Sequence, residues 1–497
     1  MLREFSGKPT RWPSGARRVS RYGASIYPFS GLLAALLLGG CPKESAPEAT
    51  IPPQTLMSEV EAAGFLAVEP RAAVDSLELV LTGATVMTAA GDVFKPGWVH
   101  IADGKIAALG PGAPPAEITA QRLDVSGRTI TPGIIDTHSH LGVYPSPGSG
   151  AHNDGNEATA PTTGGVWAEH SFWPEDPQIE LAVAGGVTTI QVLPGSANLV
   201  GGRGVILHLE PERGSRAMRL EGAPETLKMA CGENPKRVYG EKGGPSTRMG
   251  NIRGQREAFI RAQNYQHEWQ NYDRAYKKAA EKHEDPPDAP KRDLEMETLV
   301  DLLEGRVLAQ VHCYTADDML SFLQIADEFG FKVRSFHHAL EAYKIRDILA
   351  ARDVGVSTWA DWWGFKVEAY DGIPQNLAML QEAGVHTIVH TDSPVGIQRM
   401  NQEAAKGLRA AREMGLSFDD DTVLRWITAN PAWALGIQDQ VGSLEVGKRA
   451  DLVVWSGYPF SVYSHADLVF IDGALRYDRS QPGEPWSDFE LGQGVLP

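Results

Sequence analysis

The chain has 497 residues, a formal net charge of -17 at neutral pH and three cysteines. Such an acidic balance argues against nucleic acid as a partner and against adhesion to anionic lipid, and so few cysteines give no disulfide framework. The length is enough for a large catalytic domain and a smaller one beside it.

Residues 1–41 read as an export signal. Arg3, Lys8, Arg11, Arg17, Arg18 and Arg21 form a basic stretch, Leu32 to Leu38 is a short apolar run, and Leu38-Gly39-Gly40-Cys41 follows. That order is the pattern of a secretory signal, and its end resembles a bacterial lipoprotein cleavage site. The apolar run is too short to span a bilayer, so a lipid on Cys41 would tether the chain by its end. An ordinary signal peptide with an incidental cysteine is the plainer alternative, and Pro42 is unusual after such a cysteine. Residues 42–76 read as a linker, rich in Pro, Ala and Glu near its start. The expected location is the bacterial cell envelope, lipid-anchored and facing periplasm or cell surface, or else the periplasm.

From Leu77 to Thr131 come short β signals, including Leu77–Leu81, Gly83–Met87 and Trp98–Ile101. Asp103-Gly104 makes a hairpin turn into Lys105–Leu109. Gly447–Trp455 and Leu468–Gly473 have the same character. Residues 77–131 and 439–497 are therefore expected to build one small sheet domain from both termini. The middle, 132–438, alternates β runs with helical stretches, as an α/β parallel barrel does. Its eight expected strands are Ile134–His138, Val187–Leu193, Val205–Leu209, Thr226–Ala230, Val307–His312, Lys332–Phe336, Val354–Thr358 and Val385–Thr391.

Chemistry in such barrels sits at the C-terminal strand ends, and ligand-capable groups fall there. His138 and His140 close the first strand two residues apart, on one face, and neutral imidazole is a common metal ligand. A polar strand end would explain that pair alone. His312 closes the fifth strand, His337 and His338 the sixth, and Asp392 the eighth.

These residues carry a resemblance. Pro132–His140, Val311-His312-Cys313-Tyr314, His338-Ala339-Leu340-Glu341, His390-Thr391-Asp392-Ser393-Pro394, Asn430-Pro431-Ala432 and Gly447–Val454 are similar to the metal-dependent amidohydrolase superfamily, in the branch of imidazolonepropionases and prolidase-like dipeptidases. The resemblance runs from Leu77 to about Tyr477. It implies a (β/α)8 TIM-like barrel, a β-sandwich from both termini and a divalent cofactor, two zinc ions or one. It assigns His138, His140, His312 and His338 as ligands, and Asp392 as both ligand and general base. His337 competes with His338, which is favoured because Ala339-Leu340-Glu341 follows it. In two-metal relatives a carboxylated lysine bridges the ions, and Lys228 stands in the matching strand. A snorkelling lysine or an ion pair with Glu233 would explain it otherwise, and Glu233 is the next ligand candidate there.

The implied reaction is hydrolysis of a C–N bond in an amide, a cyclic amide or a dipeptide-like small molecule, by activated water with Asp392 as base. A mononuclear deaminase of the same superfamily and a catalytically inactive surface binding protein are the alternatives. Cys313-Tyr314-Thr315-Ala316-Asp317 after His312 lacks the glutamate expected of a deaminase. Membrane contact is expected only through the lipid, and a homo-oligomer is compatible with the chain. Substrate contacts are expected from rim residues: Asn156 and Glu157 after the first strand, Arg203 near the third, and Glu233 and Tyr239 after the fourth. Gly201-Gly202-Arg203-Gly204 lacks the Lys-Ser/Thr ending of a phosphate loop and reads as a tight turn. In the insertion 234–296, Tyr265, Trp269, Tyr272 and Tyr276 recur at helical spacing, as packing against the barrel or a lid over the site. Cys231 and Cys313 read as two separate small buried residues.

Overall fold

A computed structural model describes residues 78–481 apart from 211 and 213. The expected signal, the linker and the tail beyond 481 lie outside the described residues. Among the described residues, no helix is long and apolar enough to cross a membrane.

The chain enters through β1 (Leu79–Met87), β2 (Val93–Ala102), β3 (Lys105–Pro111), β4 (Gln121–Asp124) and β5 (Thr129–Pro132), and returns at the far end as β14 (Leu452–Trp455), β15 (Ala466–Ile471) and β16 (Ala474–Asp478). These strands form one sheet ordered β16-β15-β14-β5-β1-β2-β3, with β4 also paired to β1. Both termini do share a sheet, as expected. It is a single hydrogen-bonded sheet in the same compact unit as the barrel. Side chains of a strand alternate between faces, and both faces here are apolar. Leu452, Val454, Leu468 and Phe470 join Leu81, Val99 and Ile106 in one core, whereas Val453, Trp455, Val469 and Ile471 pack with Ile134, Val187 and Ile190 of the barrel.

The second sheet carries the site. Its strands are β6 (Ile134–Ser139), β7 (Val187–Val192), β8 (Val200–His208), β9 (Glu225–Ala230), β10 (Val307–Cys313), β11 (Val333–His338), β12 (Gly355–Thr358) and β13 (Thr387–Val389), hydrogen-bonded in that order. All eight expected strands are present. One runs the wrong way: β8 is antiparallel to both β7 and β9. Its first residue, Val200, lies level with Met229, and His208 at its other end lies opposite Thr189. The barrel is therefore mixed rather than all parallel. The glycine-rich run expected as a turn lies inside β8, where Gly202 adopts φ +121 and a Cβ would meet the Val166 carbonyl at 2.5 Å.

The insertion forms a helix over Arg248–Lys282, capped by the Thr247 side chain accepting from Gly250 N. Tyr265, Trp269 and Tyr272 are buried, with Tyr276 partly buried, in the core that holds Leu227, Met229 and Val311. The aromatic stripe packs the helix onto the barrel and does not cover the site. Cys231 and Cys313, expected to be independent, are joined as a disulfide across the ends of β9 and β10, with Cα atoms 5.3 Å apart. The β9–β10 ladder sets His312 opposite Ala230 and so brings together thiols 82 residues apart.

Because β8 is reversed, His208 meets the terminal sheet at the far end of the barrel from the ligand-bearing strand ends. Its Nε2 lies 3.0 Å from Asp451 Oδ2 and its Nδ1 3.4 Å from Asp472 Oδ2, while Arg449 pairs with Asp472 at 2.8 Å. The two carboxylates engage opposite ring nitrogens, which suits a histidinium ion pair rather than a cation site. Burial alone would lower this pKa, but Asp451 and Asp472 raise it from 6.5 to about 9. The stabilisation is complete below pH 6.5 and is lost as pH rises through about 9. Replacing His208 by leucine leaves the buried Asp451 carboxylate without its cation, while Asp472 keeps Arg449, and should cost about 3–5 kcal/mol at pH 7. Urea unfolding should show that difference shrinking at a pH above the His208 value; a difference independent of pH would refute the ion-pair reading.

Candidate metal centre

The C-terminal strand ends bring six imidazoles, an amine and a carboxylate into one place. His138 and His140 follow the inward parity of β6. His140 Nδ1 lies 2.9 Å from the Leu193 carbonyl, to which it donates, so Nε2 is the nitrogen that faces Asp392. That nitrogen is 3.2 Å from Asp392 Oδ1, and His138 Nε2 is 3.8 Å from the same oxygen. Ligand atoms of His138, His140 and Asp392 all lie within 4.8 Å of one another, as do those of His138, His338 and His390. His138 is common to both sets, and Lys228 Nζ stands 3.1 Å from its Nε2.

Backbone geometry places His337 and His338 differently. Ser335 and His337 share the inward parity of β11, and His337 spends both nitrogens on protein, Nε2 on Gln310 Oε1 at 2.7 Å and Nδ1 on His138 Nδ1 at 2.9 Å. His338 would point outward in a regular strand. A left-handed turn, φ +68 at His338 and +39 at Ala339, brings its ring to 4.7 Å from that of His138 and 4.6 Å from that of His312. Asp392 also has φ +54, a conformation that aspartate tolerates better than most residues. Its N–H donates to the His138 carbonyl at 3.1 Å. Asp136 ties the same two strand ends, accepting from Thr391 Oγ1 at 2.6 Å and from His138 N at 3.0 Å. Burial pushes the Asp136 carboxyl up to about 7.

The charges are unusual for a protein interior. Burial holds His138, His312, His337 and His338 well below the ordinary histidine range and His390 down to about 3, so all are neutral and keep a lone pair. Burial lowers Lys228 to about 7, far from an ordinary lysine. For Asp392 burial alone would raise the pKa, but the hydrogen bond and charge of His140 hold it below 3.8. Buried ring nitrogens are ordinarily hydrogen-bonded, yet Nδ1 of His312, of His338 and of His390 has no partner among the described residues. Neutral imidazoles around an ionised carboxylate, with buried ring nitrogens unpartnered, are a donor set that a divalent cation fits.

A solved amidohydrolase from Thermotoga maritima MSB8 is 35% identical, with a TM-score of 0.72 over 81% of this chain and 100% of that one. The chain belongs to the metal-dependent amidohydrolase superfamily. Residues 253–478 also match the Amidohydrolase family itself. Amidohydrolase tasK of Hapsidospora irregularis is 35% identical over 77% of this chain, which spans 40% of that relative's length. At 25% identity, a 5-methylthioadenosine/S-adenosylhomocysteine deaminase of Desulforudis audaxviator matches over 76% of the chain and 85% of its own length. An imidazolonepropionase of Streptococcus pyogenes does so over 81% and 94%. This amidohydrolase is thus a hydrolytic enzyme acting on C–N bonds.

The other expected site residues divide. His312 lies beside the amidohydrolase centre but outside both tight clusters, with Nε2 3.4 Å from Asn234 Nδ2. Asn156 accepts from Tyr144, whose ring is 5.5 Å from that of His140, and its own Nδ2 is buried without a partner. Glu233 opens the helix Glu233–Tyr239 and pairs with Lys366 at 3.3 Å. Glu157 is exposed, and Tyr239 is buried, with burial raising its hydroxyl to about 12. Arg203 is a correction. β8 begins at Val200, so Arg203 lies within the strand, where it donates to Thr298 and to Asp301 at 2.5 Å and lies 4.9 Å over Trp167; it is not at the rim.

Sequence reasoning missed His390, Gln310, Tyr314 and Trp359. His390 repeats, against Asp392, the two-residue spacing that singled out His138 and His140, so its signal was present. Tyr314 and Trp359 stack on His338 at 5.2 and 4.4 Å, contacts that only the assembled barrel creates.

Proposed function

We propose that this amidohydrolase cleaves an amide, cyclic amide or dipeptide-like bond, with His138, His140, His312, His338, Lys228 and Asp392 holding two divalent cations, zinc foremost. When bound, such a cation lowers the pKa of a water and polarises the substrate carbonyl. Asp392 accepts the proton of the attacking water and returns it to the departing nitrogen. The observation that carries this reading is the meeting of His138 and His140 on one oxygen of an ionised Asp392. Lys228, a buried amine that loses its charge near neutrality, faces the histidine common to both clusters. That position suits a bridging carbamate better than a snorkelling ammonium. His312 has no glutamate close behind it in sequence, which favours amide cleavage over deamination.

The rim suggests what the substrate carries. Beyond Trp359, the aromatics Trp362, Trp363 and Phe365 are 43%, 40% and 56% exposed, a concentration of apolar surface beside a polar centre. Trp362 lies 5.4 Å from Trp359, and Phe365 lies 6.0 Å from Trp359 and 6.1 Å from Tyr314. These rings continue the wall begun against His338 and suit an apolar group next to the scissile bond. A screen of N-acyl amino acids, dipeptides and cyclic amides should favour members with large apolar groups. Phe365→Ala should raise KM for them about tenfold with kcat nearly unchanged. Equal rates on polar and apolar members would refute the apolar-group reading.

A further inference from the structure

His138 heads a chain of hydrogen bonds leading away from the cation site. At the other end, Gln310 Nε2 donates to the Ala434 carbonyl at 3.1 Å, in the last turn of the helix Ala429–Leu435. A carbonyl only accepts, so this atom is the amide nitrogen, and Oε1 is the atom 2.7 Å from His337 Nε2. An amide oxygen only accepts in turn, so His337 Nε2 bears the hydrogen. A neutral ring has one such hydrogen, which leaves the lone pair on Nδ1, 2.9 Å from His138 Nδ1. Two lone pairs cannot share that distance, so His138 Nδ1 carries the hydrogen. Its Nε2 then presents a lone pair toward Lys228 and Asp392. Gln310, His337 and His138 are all fully buried, and no solvent competes for these bonds.

We propose that Gln310 and His337 are positioning residues that hold His138 in its Nδ1–H tautomer and so offer Nε2 to the cation. The opposite tautomer would direct a hydrogen into the place where metal binds. Partners that fix a ligating imidazole in this way typically contribute 10–100-fold in metal affinity, roughly. The proposal rests on the metal reading above, but the tautomer itself is a property of the protein alone.

The test uses the full chain with nitrogen-15 histidine, depleted of metal, and proton–nitrogen spectra that separate the two tautomers. The His138 signals are identified by their loss in His138→Asn. Wild type should show the Nδ1–H form. Gln310→Met, which removes both hydrogen bonds, should lose that preference and bind zinc about 10–100-fold more weakly in competition with a chelator. Gln310→Glu keeps an acceptor opposite His337 and should retain affinity within a few fold, roughly, a rescue that a merely space-filling role would not predict. An Nε2–H form of His138 in wild type would overturn the proposal without recourse to any variant. So would zinc affinity unchanged in a folded Gln310→Met. Wild type that shows the Nδ1–H form yet binds no divalent cation would sink the metal reading and leave the tautomer assignment standing.

Discussion

Asp392→Asn is expected to lower kcat by about a thousandfold or more while leaving the fold intact. Loss of a positioned proton acceptor alone typically costs about 10²–10⁴, and an amide is also a poorer ligand than a carboxylate. The fold should survive because the 3.1 Å bond from the residue 392 N–H to the His138 carbonyl is main-chain. Asparagine also tolerates the left-handed φ of +54 found there. Measuring kcat beside a thermal melt separates these effects. Turnover within a few fold of wild type would remove Asp392 from the chemistry.

Lys228→Ala is expected to halve the metal content, from two ions per chain to one, and to cut turnover sharply. The amine is wholly buried, and burial lowers its pKa to about 7, so a large neutral fraction carries a free lone pair at physiological pH. That lone pair can attack the carbon of carbon dioxide, forming an N–C bond as the nitrogen releases a proton. The product is an anion, which suits a place beside His138, the residue common to both cation-binding sets. Alanine has no group to modify. Elemental analysis of wild type and variant after identical metal loading reads the outcome. A content of one ion in both proteins would refute the two-metal reading, and Lys228 would then be a packing residue.

The strands were legible because their apolar, β-branched runs are local features, as in Val307–Val311. Direction was not. The reversal of β8 follows from its early start at Val200, which leaves after Val192 too short a connection for a parallel crossover, whereas the expected start at Val205 hid this. Arg203 was misplaced because β8 begins at Val200, earlier than expected, so residue 203 lies within the strand and turns to Thr298 and Asp301. The Cys231–Cys313 bond stayed hidden because only the β9–β10 register makes those residues neighbours. The two histidines of β11 could not be separated by alternation alone, because a left-handed turn at His338 breaks the parity. By contrast, His138, His140 and Asp392 were readable from strand-end position and spacing.

Anomalous scattering at the zinc edge from crystals of the zinc-loaded full chain addresses the central claim most directly. A peak within bonding distance of His138, His140 and Asp392, with a second toward His338, is the expected result. Density for zinc elsewhere, or none between His138 and Asp392 in a fully loaded and active protein, would contradict the account.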